Sequence, residues 1–210
     1  MDLRTTISLF LLFFVAKAYS ATKSPTLHWN KGVVVLEDNT VIYGDISYTY
    51  EYNLVFVKED KTIRSYPSSN IESVRYYDAR VNINRYFIRF KKGTIDNSLN
   101  AKSNILFEVV VSGNIQLLRV PKKYVGKFGK SDFLEDQRNY NYYLFAYESL
   151  VNLSNFREKF LPKLLSRNRQ LTQQLIDKNK LNMDNQGDCV KLIVLCNQVS
   201  IASGAELTAL

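Results

Sequence analysis

Histidine occurs once in these 210 residues, tryptophan once and cysteine twice. A lone His28 cannot build a multi-histidine metal centre, and with no cysteine near it there is no zinc cluster to complete. It reads as a surface residue beside Trp29, and no metal or cofactor is expected. With so little cysteine the chain is not a disulfide scaffold. Cys189 and Cys196 are seven apart, so on one helix their Cα atoms would lie about 10 Å apart, beyond disulfide reach. They are expected as two buried thiols, and a disulfide would require a break in that helix. There are only eight glycines, and they form no phosphate-binding loop, dinucleotide fingerprint or serine elbow. Past the N-terminus no run approaches the roughly 18 apolar residues of a membrane helix.

What is present is aromatic and apolar. Fourteen tyrosines and twelve phenylalanines accompany 46% hydrophobic residues, enough for a core and weighted towards strands. The first twenty residues read as a secretory signal. Arg4 supplies the positive end, Ile7 to Ala16 (ISLFLLFFVA) is an apolar run of signal length, and Ala18-Tyr19-Ser20 places small residues for cleavage between Ser20 and Ala21. The mature chain is then expected in the periplasm, at the cell surface or in the medium.

Charge is uneven. Removing the leader brings the net charge from +8 to about +7, and residues 80–130 hold eleven bases against Asp96 and Glu108. Such a block can attract acidic glycan or anionic lipid. Arg85, Arg89, Lys91, Arg119, Lys122 and Lys123 are the candidate anion-binding residues. Because several alternate with apolar residues, the plainer reading is the solvated face of ordinary strands.

Alternation predicts strands at Val33 to Glu37, Val41 to Tyr48, Asn53 to Lys58, Thr62 to Tyr66 and Ile71 to Tyr77. Asp38-Asn39 and Glu59 to Lys61 supply turns, and a bulge is expected at Gly44-Asp45. Further strands are expected at Arg85 to Lys91, Ile105 to Val111, Ile115 to Val120, Tyr142 to Tyr147 and Leu150 to Leu153. The polar connections 92–104 and 121–141 are the expected contact elements. From Phe156 the apolar period changes to that of a helix. Asn155 is placed as N-cap with Glu158 three residues on, Pro162 as a kink or restart, and Asp188 as the cap of a last helix. Asn152-Leu153-Ser154 matches a glycosylation sequon, but a cap beside a helix start explains it better. The fold class is α+β: a mainly antiparallel, bent sheet or partly open barrel over 21–153, helices packed on it over 154–199, and a frayed tail over 200–210.

No catalytic residue is assigned. A glycosidase needs two carboxyls about 5–10 Å apart, and Asp45, Glu72, Asp78 and Glu108 are the candidates to supply them. Asp78, at a strand end, reads as the cap of the next turn. Tyr43, Tyr48, Tyr50, Tyr52, Tyr66, Tyr76 and Tyr77 could form an aromatic platform, though strand tyrosines more often pair across a sheet.

Residues 29–78 have the form W-x-x-G-x-V-x-L-x-D, then G-x-I-x-Y, N-L-V-x-V and I-E-S-V-R-Y-Y-D. This resembles the start of a family of uncharacterised exported proteins of Bacteroidota-type bacteria, with Val74 to Asp78 in place of an F-x-x-x-D-like element. Tyr142 to Phe145, Leu153 to Leu165, Asp177 to Leu181 and a last helix are also similar, with Leu195-Cys196-Asn197 where the family has an aromatic pair before Asn. The likeness spans about two thirds of the mature chain. It implies export and architecture, and transfers no catalytic residue. V-x-L-x-D-N and G-x-I also resemble the bent hairpin of an Sm-like barrel; exported proteins rarely meet RNA, so no nucleic acid is expected. The function these readings favour is an exported, non-catalytic envelope or secreted protein that binds a partner, such as an envelope protein or anionic glycan, or serves a structural role. The alternatives are a carboxylate-dependent hydrolase of cell-wall or polysaccharide material, and an anion or membrane-surface binder using the basic block.

Overall fold

The structure, a computed structural model, describes residues 27–90, 105–122 and 139–202. The leader with its Ser20–Ala21 junction, Lys91, Lys123, the 92–104 connection, most of 121–141 and the end of the tail lie outside the described residues. Ten strands form one antiparallel sheet: β1 (Asn30–Leu36), β2 (Val41–Thr49), β3 (Leu54–Glu59), β4 (Thr62–Pro67), β5 (Ile71–Asp78), β6 (Ile83–Arg89), β7 (Leu106–Val111), β8 (Gln116–Pro121), β9 (Tyr140–Ala146) and β10 (Ser149–Asn152). Their order is β10-β9-β8-β7-β6-β5-β1-β2-β3-β4. The sheet does not close into a barrel, and β4 and β10 are its edges. It is nonetheless strongly bent. Tyr48 on β2 reaches across to Phe87 on β6, ring centroids 5.3 Å apart, although β1 and β5 lie between their strands.

The bend has a cause in the sequence. Gly32 and Gly44 face each other across β1 and β2. A Cβ on Gly32 would lie 2.2 Å from the Arg75 carbonyl oxygen, and one on Gly44 would lie 2.7 Å from that of Lys58. The glycines let neighbouring backbone approach where any side chain would hold it off. No bulge forms at Gly44-Asp45; the β1–β2 register runs unbroken there. The register shifts instead at Val35/Leu36 against β5 and at Val109/Val111 against β8. Inside the bend sit Val34, Ile46, Val55, Val57, Ile71, Val74, Tyr76, Phe87 and Leu106.

The helical part covers one face of β8–β10. A π-type turn, Phe156–Phe160, leads into α1 (Leu161–Asn179), followed by α2 (Gln186–Ala202). Pro162 falls in the first turn of α1, as a restart requires. Asn155 makes no side-chain cap bond. Asn152 does, its Oδ1 accepting from the Ser154 amide at 2.9 Å, which gives the sequon residue a capping role. α1 breaks at Asn168, where φ is −150° and ψ 74°, and the Asn168 side chain recaps the helix by accepting from Leu171 N at 3.2 Å. Asn185, rather than Asp188, caps α2 by accepting from the Gly187 and Asp188 amides; the Asp188 carboxylate accepts from Asn182 N. Phe156, Phe160, Leu164, Leu192 and Ile193 pack on Leu117, Tyr142, Leu144 and Val151 of the sheet. Among the described residues no helix is long and apolar enough to cross a membrane.

Cys189 and Cys196 are free and buried on α2. Burial pushes both thiols up to about 11, and for Cys189 the Asp188 carboxylate adds to it. A thiol reagent at pH 8 should therefore modify the native protein about a hundredfold more slowly than a free cysteine and react with both thiols on unfolding. Rapid native labelling would show that α2 is not packed on the sheet.

Candidate functional site

Strand alternation carries charge into the core. On β5 the inward positions are Val74, Tyr76 and then Asp78; on β6 they are Arg85 and Phe87. Glu108 on β7 lies directly opposite Arg119 on β8. Asp78, Arg85, Glu108 and Arg119 are each at most 4% exposed. They form a ladder across four strands. Arg85 Nε donates to Asp78 Oδ2 at 2.9 Å and Arg85 Nη1 to Glu108 Oε1 at 2.5 Å, while Arg119 Nε donates to Glu108 Oε2 at 2.7 Å. Two guanidinium and two carboxylate charges thus cancel within the sheet, which is the condition for burying them. Half-exposed Arg80 adds two bonds to Asp78, at 3.1 and 3.2 Å.

The electrostatics follow from these contacts. Burial alone would raise the Asp78 carboxyl, but hydrogen bonds from Arg80 and Arg85 outweigh it and hold it below its usual value. Burial would likewise favour neutral Arg85 and Arg119; the Glu108 charge outweighs it and keeps both guanidiniums protonated. A depressed carboxyl adds stability that is complete above its unfolded value, near 3.9, and is lost as pH falls through the lower folded value.

The candidate basic residues therefore part company. Arg85 and Arg119 grip Glu108, and the strand face expected in solvent is, for these two, the core face. Arg89 donates to the Ile71 carbonyl at 2.7 Å and pairs with Glu37 at 3.0 Å. Lys122 is exposed at the end of β8. Of the candidate carboxylates, Asp78 and Glu108 both face Arg85. Asp78 also accepts from the Arg80 amide at 3.2 Å, the expected turn cap. Glu72 is exposed on β5, and Asp45 lines a shallow cleft with Lys31, Tyr43, Lys58, Glu59 and Asp60. The seven tyrosines do not assemble into one platform: Tyr48 and Tyr76 pack in the core around Phe87, whereas Tyr43 and Tyr77 stand exposed on β2 and β5. His28 is exposed near the start of β1. Among the described residues no group of three or more His, Cys, Asp or Glu could hold a metal ion.

The ladder ends beneath a cleft. The Arg119 guanidinium stacks 4.4 Å from the Tyr140 ring centroid, and Arg119 lies opposite Tyr142 across β8 and β9. A cleft of about 330 Å³ is lined by Lys122, by Tyr140, Asn141 and Tyr142 of β9, and by Asn152, Leu153, Ser154 and Gln186 from β10 and the helical part. Lys122 N donates to the Asn139 carbonyl at 2.8 Å, which joins the two stems of the β8–β9 connection at the cleft's rim. Sequence reasoning placed Lys122 and this connection among its candidates, and missed Tyr140, Asn152 and Gln186 as neighbours because they come from three separate elements. The lone acid within the apolar run ILFEVVV, with arginines on the flanking strands, was the available sign of the ladder.

The architecture defines an α+β protein with an open, bent ten-stranded antiparallel sheet capped at one end by helices. No protein-family model, curated protein or solved structure matches the chain.

Proposed function

We propose that this chain is an exported, non-catalytic binding protein of the cell envelope or the medium, and that it recognises its partner through the 121–141 connection and the cleft at its root. Export is supported by the apolar run Ile7 to Ala16 followed by Ala18-Tyr19-Ser20. The non-catalytic reading is supported by Asp78 and Glu108, which hold arginine instead of facing an open cleft. The observation that carries the binding role is the cleft where β8, β9 and the helical part meet, a concave place lined mostly by polar residues.

The test is removal of residues 126–136 from the mature protein. The stems stay joined by the Lys122–Asn139 bond, so the melting temperature should change by less than about 3 °C, while a partner captured from the envelope fraction by the intact protein is lost. An unchanged set of captured proteins would remove the connection from the recognition surface. Finding residues 1–20 retained in the native protein would overturn export.

A further inference from the structure

Two exposed tyrosines share the sheet face that is turned away from the core. Val34 on β1, Ile46 on β2, Val57 on β3 and Val74 on β5 are buried on the inner face. Strand alternation therefore sends Lys31, Tyr43, Asp45, Lys58 and Tyr77 to the outer face. Burial agrees: Tyr43 is 74% exposed and Tyr77 46%. Register sets the spacing. Tyr43 and Arg75 both pair with Val33, and Tyr77 lies two residues along β5 from Arg75. With strands about 4.8 Å apart and a rise of about 3.4 Å per residue, the two tyrosines stand about 12 Å apart on the sheet. A single sugar ring cannot stack on both, whereas a chain of sugars can. The Tyr77 hydroxyl donates to Asn82, which tethers that ring before a ligand arrives.

The polar groups beside the rings carry both signs. Lys31 lies opposite Asp45, and Asp45 opposite Lys58, so donor, acceptor and donor alternate across three strands. These three line the shallow cleft at Tyr43, together with Glu59 and Asp60 of the β3–β4 turn. Sugar hydroxyls both donate and accept, so they use ammonium and carboxylate alike. A polyanion or a polycation would meet repulsion as well as attraction in the same row. The apolar C–H face of a sugar suits a tyrosine ring, which is apolar in body and polar at its tip. Shape agrees with a thin chain. Tyr48 and Phe87 meet inside the bend, so this face is its outer side, and a second copy would set convex surface against convex surface.

We infer that the outer face of β1, β2, β3 and β5 binds a linear, uncharged polysaccharide, with Tyr43 and Tyr77 stacking on separate sugars and Lys31, Asp45 and Lys58 meeting hydroxyls along the chain. This surface is built from strands other than those of the Lys122 cleft, and it goes beyond the recognition role given to that cleft.

The test is titration of the purified mature protein with cellohexaose, mannohexaose, glucose and an oligogalacturonate, read by nuclear magnetic resonance of the backbone amides. At least one of the two neutral hexasaccharides should bind and shift the Lys31, Tyr43, Asp45 and Tyr77 amides. Glucose should bind at least about tenfold more weakly, since it reaches only one ring. The oligogalacturonate should also bind more weakly, because it brings carboxylates to Asp45. Tyr43→Ala should weaken the hexasaccharide about fivefold and Tyr43→Phe should bind as the parent does. Both variants should melt within about 2 °C of the parent, because the side chain is exposed. The inference is overturned if neither hexasaccharide binds, if glucose binds equally, if the oligogalacturonate binds more tightly, if the shifts fall elsewhere, or if Tyr43→Ala changes nothing. Deleting 126–136 should leave hexasaccharide binding intact, so this inference and the role of the Lys122 cleft fail separately.

Discussion

Replacing Glu108 with leucine should lower the unfolding free energy by about 3–5 kcal/mol, because it removes the carboxylate that the buried guanidiniums of Arg85 and Arg119 both hold. For a chain of this size that corresponds to a melting temperature lower by roughly 10 °C. A second substitution separates the cost of an orphaned charge from the value of the pair. Removing Arg119 as well, as in Glu108→Leu with Arg119→Met, takes one charge of each sign from the core and leaves Arg85 on Asp78. The double variant should recover at least half of the loss, since a buried ion pair and an apolar pair of similar volume are often close in stability. Urea unfolding of the four proteins of the cycle measures this. A loss below about 1 kcal/mol for Glu108→Leu would mean that the ladder stands in water.

Asn197→Ala should cost about 2–4 kcal/mol, at the joint between α2 and the sheet. The Asn197 side chain accepts from Ile115 N at 3.0 Å and donates to the Ile115 carbonyl at 2.8 Å, so both backbone groups of one residue depend on it. Asn197 and Ile115 are buried, and each orphaned group costs about 1–3 kcal/mol. The fit also explains Gly113, whose φ is +143° and whose missing Cβ would fall 2.5 Å from Asn197 Cγ. Hydrogen exchange gives the readout: the Ile115 amide should lose protection in Asn197→Ala by more than strand amides of β2 and β3 do. Equal loss everywhere would point to global destabilisation alone, and no loss would remove Asn197 as the clamp.

The strands were largely legible because a period of two is local. Val74, Tyr76 and Asp78 can be placed on one face from the sequence of β5 alone, and Asn39 and Asp60 take the left-handed conformation that their turns imply. What alternation could not say is which face is wet. Arg85 and Arg119 alternate with apolar residues in the same way whether they meet water or a carboxylate on the next strand of the sheet, and the deciding partners come from strands that sequence alone does not place beside them. Gly44 was misread for a related reason: a glycine that breaks alternation signals either a bulge or a close approach, and only its pairing with Gly32 distinguishes them. In the helical part the period was clear, but a cap is the side chain that meets a free amide, and Asn152 and Asn185 do so where spacing had placed Asn155 and Asp188. The cleft was legible in part, through Lys122 and the stems of one connection. The ladder that holds its wall needed the register of four strands.

The most direct check is the exchange of arginine side-chain protons in ¹⁵N-labelled protein. If the arginines of β6 and β8 are internal, the Nε–H signals of Arg85 and Arg119 remain sharp and exchange slowly at neutral pH, while that of Arg75, exposed over the Tyr86 ring, exchanges quickly. Fast exchange at all three would mean that these guanidiniums face solvent, that Glu108 does not hold them, and that the wall of the cleft is not braced from behind.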